Sequence, residues 1–263
     1  MLGRALRDNR GRITIARVHA SAGGVSGARG YARPVSAEPS PDEAPIARVR
    51  DGVFFTLPEA LPRGRHKLTR EQVGDAQRER LLAAVTELLA AHGYRGFGVG
   101  DIARRAGVSL GTFYGCFESK DACVFAGYDR FIEVLLTRMA AVDVPDEDRV
   151  ALTAALIGAY LETLQQDLAV ARAYQVEIDA LGPEARARRR DALTLFATYI
   201  RDRVARAAPG GVPPAELPWT AYIGVVYAAR QLASDALDTA ARPDLTELGA
   251  DLRVWIADLF RVR

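Results

Sequence analysis

The sequence predicts an all-α protein, with a helix-turn-helix head in front and a larger helical body behind it. Three observations carry this. The stretch from Gly98 to Phe117, GVGDIARRAGVSLGTFYGCF, reads as two short helices around a glycine turn. Long segments after it place apolar residues at the spacing of one buried helix face. No stretch shows the every-second-residue alternation of a half-buried strand.

Residues 1–60 are rich in Arg, Ala, Gly, Ser and Pro and lack sustained periodicity. AEPSPDEAPIARVRDG is a linker by composition, so residues 1–60 are expected to be a disordered extension without an assigned function. LPRGRHK follows, clustering Arg63, Arg65, His66 and Lys67 around Gly64. A flexible basic arm before a helix-turn-helix reaches the minor groove or phosphates. A solvated charge run is the alternative, and both readings stand at this stage.

Thr69 opens the first long helix, with Gln72 placed as its capping-box partner. Leu81, Leu82, Val85, Leu88 and Leu89 form an apolar stripe, and Gly93 ends the helix. In the next helix Ile102, Ala103 and Ala106 share one face, Gly98 is the N-cap, and Asp101 favours the positive end of the dipole. Gly107 supplies the positive φ of the turn. Val108 plugs the corner, and Ser109 caps the second short helix, Leu110–Tyr114 onward, which such motifs present to the major groove.

LLAAVTELLAAHGYRGFGVGDIARRAGVSLGTFYGCFESKDA resembles the DNA-binding head of TetR-type transcriptional regulators. The features that carry the resemblance are Gly93-Tyr94, Val99 before Asp101-Ile102-Ala103, Ala106-Gly107-Val108-Ser109, Gly111-Thr112-Phe113-Tyr114, Phe117 and Ser119-Lys120-Asp121. Within it, Ser109 and Thr112 offer hydroxyls to phosphates or base edges, and the phenol of Tyr114 is long enough to reach a phosphate. Gly111 leaves room for a close approach of backbone to DNA. The resemblance implies that Leu110 faces the groove, where it meets a thymine methyl, unless it packs on Phe113. It also implies a phosphate contact from Lys120. Arg78 and Arg80 on the first helix face phosphate or, more simply, solvent. The sequence departs from the family at Gly98, where Ser or Thr is usual, and at Cys116, where His is common. Gly100 and Gly115 each add a helix-breaking cost of about 1 kcal/mol.

Beyond Ser119, ESKDACVFAGYDRFIEVLLTRMAAV reads as a connecting helix, followed by DEDRVALTAALIGAYLETLQQD. LAVARAYQVEIDAL reads as one helix stopped by Gly182-Pro183. Three more helices complete the chain, giving a head over 61–130 and a body over 131–263. By resemblance the body encloses a ligand pocket and dimerises through its last two helices. Tyr160, Tyr174, Glu177, Tyr199, Tyr222 and Tyr227 are the pocket candidates, amphipathic groups able to orient a small molecule in an apolar cavity. The stripe Leu248, Leu252, Trp255, Ile256 and Leu259 is core or half of a dimer seam. The run Arg188-Arg189-Arg190 reads as a solvated face.

Composition narrows the function. Net charge is +2, split as +3 over residues 1–62, +3 over 63–130 and −4 over 131–263, a basic front and an acidic back that suit a DNA-facing head. No apolar run reaches the length of about 20 residues that a membrane helix needs, and the start lacks a secretory core. Two cysteines, Cys116 and Cys123, suit a reducing cytoplasm, with a redox switch as the less economical reading. His19, His66 and His92 have no companions at catalytic or metal spacing, so no enzyme activity, metal or cofactor is expected. The expected protein is a cytoplasmic homodimeric regulator, a repressor of a palindromic double-stranded DNA operator released by a small-molecule effector. The alternative is a helical sensor whose head no longer binds DNA.

Overall fold

The structure is a computed structural model and describes residues 6–7, 13–14, 46–58, 69–144, 149–206 and 217–260. In the first of its two units, Met1–Ile46, two-residue strands β1 (Leu6–Arg7) and β2 (Ile13–Thr14) pair antiparallel, Leu6 opposite Thr14. Strands this short leave no alternation to read in a sequence, and the all-α expectation holds for the second unit, Ala47–Arg263.

Nine α-helices are present among the described residues of that unit. They begin with α1 (Arg70–His92), α2 (Val99–Ala106), α3 (Leu110–Cys116) and α4 (Lys120–Ala140). The chain continues through α5 (Arg149–Gln166), α6 (Leu168–Gln175), α7 (Pro183–Arg206), α8 (Trp219–Thr239) and α9 (Leu245–Phe260). Thr69 and Gln72 close the expected capping box, with Thr69 N donating to Gln72 Oε1 at 2.9 Å and Gln72 N to Thr69 Oγ1 at 3.1 Å. The stripe Leu81, Leu82, Val85, Leu88 and Leu89 is buried, and α1 packs on α2, α3, α4 and α6. α4 then carries Val124, Tyr128, Phe131, Leu135 and Met139 inward along its length, linking head to body.

The body departs from the sequence reading at one helix. LAVARAYQVEIDAL is split: α6 stops at Gln175 and Glu177–Leu181 is a 3-10 turn. The carbonyl of Gln175 accepts from Arg230 Nη2 at 2.8 Å and Ser234 Oγ at 3.0 Å, both on α8. An acceptor engaged from outside no longer needs the next helical turn, so the α-helix ends there. α5 and α9 pack along their length, with Leu161 Cδ1 3.2 Å from where a side chain on Gly249 would begin. The stripe on α9 divides: Leu252 and Ile256 are core, Leu248 and Leu259 are half-buried, and Trp255 is exposed.

The expectation of disorder over residues 1–60 fails for the described part of its end. Val49, Phe54 and Phe55 are buried, and backbone amides of this segment donate to side chains of α1 and of the residue capping α6. Three apolar side chains within seven residues outweigh the polar composition around them, because burying each aromatic ring is worth about 1.5–3 kcal/mol.

Candidate nucleic-acid interface

Local sequence sets the start and end of each short helix in the head. Gly98 donates its N–H to Asp101 Oδ2 at 2.8 Å, the half of a capping box that needs no side chain at the N-cap. Gly107 adopts φ 68° and ψ 35°, and Val108 N donates to Ala103 O at 3.0 Å, closing the helix end as a left-handed cap. Ser109 Oγ accepts from Thr112 N at 3.0 Å and starts α3. Gly100 and Gly115 both lie inside regular helix, so neither breaks the motif.

α3 has two unlike faces. Phe113 is fully buried, and Phe117, just past the helix, packs beside it at 6.0 Å between ring centroids. Leu110 and Tyr114 are 52% and 59% exposed, which places Leu110 outward rather than on Phe113. The Tyr114 ring stands edge-on to Phe113, interplanar angle 89°, so the buried ring orients the exposed phenol. Gly111 is exposed beside them, and Ser109 and Thr112 share a hydroxyl–hydroxyl bond of 2.9 Å. Leu110, Gly111 and Tyr114 thus form one outward surface, with the Ser109 hydroxyl at its edge engaged in capping and the Thr112 hydroxyl bonded to it. Arg63 and Arg65 lie outside the described residues.

Two basic residues near this surface hold the protein together. Lys120 Nζ donates to Tyr94 O at 2.8 Å and Phe97 O at 3.0 Å, and sits 3.9 Å from the Tyr94 ring centroid. Burial lowers its pKa, partly offset by Asp121. Tyr94 donates its hydroxyl to Asp121, and burial first, then that bond, push its pKa up to about 12. Arg78, read as a solvent or phosphate group, instead donates to Cys116 O at 3.3 Å and lies 4.3 Å over the Phe117 ring, clamping the end of α3.

The body holds a cavity of about 30 Å³ between α4, α5, α6, α7 and α8. Tyr160 and Tyr174 line it, together with Phe131, Phe196 and, at a polar wall, Arg189 and Arg230. Burial pushes both tyrosine pKa values up. Asp179 pairs with Arg189 at 2.5 Å and Arg230 at 3.5 Å. Arg189 is therefore not on a solvated face as its run suggested, whereas Arg188 is bound on the surface to Glu184 and Asp129.

The other four pocket candidates do not line this cavity. Tyr227 is 42% exposed, and Tyr199 reaches Met139 O and accepts from Arg203 Nη1. Tyr222 is buried elsewhere, and Glu177 lies in the 3-10 turn beside Gly93. A tyrosine's place in sequence does not fix which side of its helix it occupies relative to neighbours met only on folding. Drug-sized ligands fill about 300–1,000 Å³, so a ligand here must part the helices. Among the described residues no group of three or more His, Cys, Asp or Glu gathers, and no helix is long and apolar enough to cross a membrane.

A helix-turn-helix with a locked inner face and an exposed outer one, carried on a helical body with an internal cavity, defines a DNA-binding regulator. Residues 81–126 match the family described as "Bacterial regulatory proteins, tetR family". The match covers α2 and α3 with the adjoining parts of α1 and α4. The chain is similar to the HTH-type transcriptional regulator EthR of Mycobacterium tuberculosis, 26% identical over 215 residues, covering 76% of this chain and 94% of that one. Among solved structures, the fatty acid degradation regulator FadR from Bacillus halodurans has a TM-score of 0.60 at 20% identity, covering 71% of this chain and 97% of that one. FadR from Bacillus subtilis, in complex with stearoyl-CoA, has 0.56 at 19%, covering 69% and 98%. These two likenesses are of fold.

Proposed function

We propose that the protein is a cytoplasmic homodimeric repressor that binds a palindromic operator through α3 and is released by a small molecule entering the cavity of the body. Residues 61–130 act as the head and 131–263 as the body. The observation that carries this is the exposed pair Leu110 and Tyr114 on a helix whose opposite face is locked by Phe113. An apolar side chain reads thymine methyls and a phenol donates to phosphate, each at the surface of a major-groove helix. Arg63 and Arg65 add phosphate or minor-groove contacts from the arm, and the third N–H of Lys120 is left for a phosphate after its two carbonyls. Ser109 and Thr112 contribute through their paired hydroxyls at the start of α3.

Dimerisation is supported by apolar side chains left in the open on the last two helices: Tyr227 and Leu232 on α8, Val254 and Trp255 on α9. Apolar side chains exposed together on one face mark association surfaces, and a two-headed reader of a palindrome needs its half-sites about 34 Å apart. Tyr160 and Tyr174 face the effector. At about 30 Å³ the cavity is far smaller than such a ligand, so binding favours an expanded body, and heads respaced by that change lose operator affinity. The stearoyl-CoA held by the Bacillus subtilis relative makes a long-chain acyl compound the first effector to test.

Selection of duplexes from a random pool by the full chain tests this reading. A palindrome should be enriched, and affinity for it should fall steeply between about 50 and 200 mM salt as phosphate contacts release counterions. Weak binding without sequence preference, from protein shown to be a folded dimer, would favour a sensor that no longer reads DNA.

A further inference from the structure

We infer that residues 47–57 are a working part of the regulator, a strap that fixes the position of the DNA-reading head by tying α1 and α2 to the body. This rests on the DNA-binding reading above. Two buried carboxylates make the ties. Val49 N donates to Glu87 Oε1 of α1 at 3.0 Å, and the other oxygen, Glu87 Oε2, accepts from Arg105 Nε of α2 at 2.6 Å. The next amide, Arg50 N, donates to Asp167 Oδ2 at 2.6 Å. Asp167 Oδ1 accepts from Ala169 N and Val170 N, both at 3.1 Å, which starts α6. Consecutive amides of the strap thus engage the head and the body in turn.

The strap is built to hold that register. Gly52, at φ 76°, donates to Phe55 O at 2.9 Å, and Asp51 Oδ1 accepts from Leu57 N at 2.7 Å. The resulting turn drives Phe54 and Phe55 inward, 2% and 1% exposed. Phe54 stacks on Phe131 of α4 at 5.4 Å and 28°, and Phe131 in turn lines the cavity. A strap that merely covered an apolar surface would need the two rings and nothing else. Glu87 is only 7% exposed and Asp167 2%, and a carboxylate so buried is costly without its donors. Glu87 is therefore a positioning residue: it holds Arg105, on the helix that supports α3, to a backbone fixed on the body.

Coupling of this kind is reciprocal, so DNA bound at the head must tighten the strap. The test uses the full-chain protein and its selected operator, with hydrogen exchange followed by mass spectrometry at a temperature where every protein is folded by circular dichroism. Operator binding to the wild type should slow exchange over residues 47–57. Val49→Pro, which removes the amide donor and leaves Phe54 and Phe55 in place, should weaken operator binding about tenfold and abolish that protection. Should Val49→Pro fold poorly, Glu87→Gln keeps the shape and loses the charge shared by Val49 and Arg105, and should weaken binding in the same direction by less. Wild-type affinity in the folded variant, with strap exchange indifferent to operator, would overturn the inference. A wild-type protein that binds no duplex would overturn the DNA-binding reading itself, a separate outcome.

Discussion

The hydroxyls of Tyr174 on α6 and Thr86 on α1 share a buried hydrogen bond of 2.8 Å beside Gly127 of α4. Three helices meet at this point, and the glycine is what lets them. A Cβ on Gly127 would overlap the Tyr174 hydroxyl, with the ring carbon behind it at 3.1 Å. Gly127→Ala gains about 1 kcal/mol of helix propensity but overpacks a buried contact, which costs about 1–3 kcal/mol. The net prediction is a lower Tm. Tyr174→Phe removes the overlapping atom, and Thr86 keeps its own bond to Leu82 O at 2.7 Å. Adding Gly127→Ala to Tyr174→Phe should therefore cost less than it does alone, a coupling that a double-mutant cycle in denaturant measures.

Lys120 should prove to be a structural residue as well as a DNA-facing one. Lys120→Ala leaves the carbonyls of Tyr94 and Phe97 without their donor and is expected to cost about 1–2 kcal/mol, read as a fall in Tm without DNA. An unchanged Tm with weakened operator binding would restrict the lysine to phosphate contact.

The two cysteines should behave as inert groups. Cys123 is fully buried and Cys116 half-buried, and burial pushes both thiols up, Cys123 far more, with Arg78 only partly opposing it. The thiolate is the reactive form, so near pH 7.5 iodoacetamide should label Cys116 slowly and Cys123 only after denaturation. Peroxide treatment should leave operator affinity unchanged, and a Cys116–Cys123 disulfide under those conditions would contradict this.

The helices of the head were legible in the sequence because the signals that start and stop them are local. The caps at Thr69, Gly98 and Ser109, the turn at Gly107 and the inward Phe113 depend on residues three or four apart. The strap was not, since Val49, Phe54 and Phe55 sit in a Pro-, Ser- and acid-rich stretch whose average hides them, and the partners of Val49, Arg50 and Phe54, namely Glu87, Asp167 and Phe131, are far along the chain. The cavity was half legible. Its tyrosines Tyr160 and Tyr174 could be nominated as amphipathic groups, but Arg189 and Arg230 are held at its wall by Asp179 and, for Arg230, by the Gln175 carbonyl, partners the sequence does not associate with them.

Trp255, 43% exposed on α9, offers a test of association. Trp255→Glu should leave the fold intact, because Leu252 and Ile256 carry that helix's buried contacts. It should convert dimer to monomer in sedimentation, and losing the second head should weaken palindrome binding by about a hundredfold or more. A variant that stays dimeric would place the seam elsewhere.

The measurement that bears most directly on the central claim is a titration of the selected operator with wild type, Tyr114→Phe and Leu110→Ala across a salt series. Both side chains are more than half exposed, so neither change should shift Tm. Tyr114→Phe should weaken binding about tenfold on every sequence and flatten the salt dependence only slightly, since it removes a neutral donor to phosphate. Leu110→Ala should relax the preference at one base pair of each half-site. Identical titrations for all three proteins would contradict the account, because the outward face of α3 would then not be the surface that meets DNA.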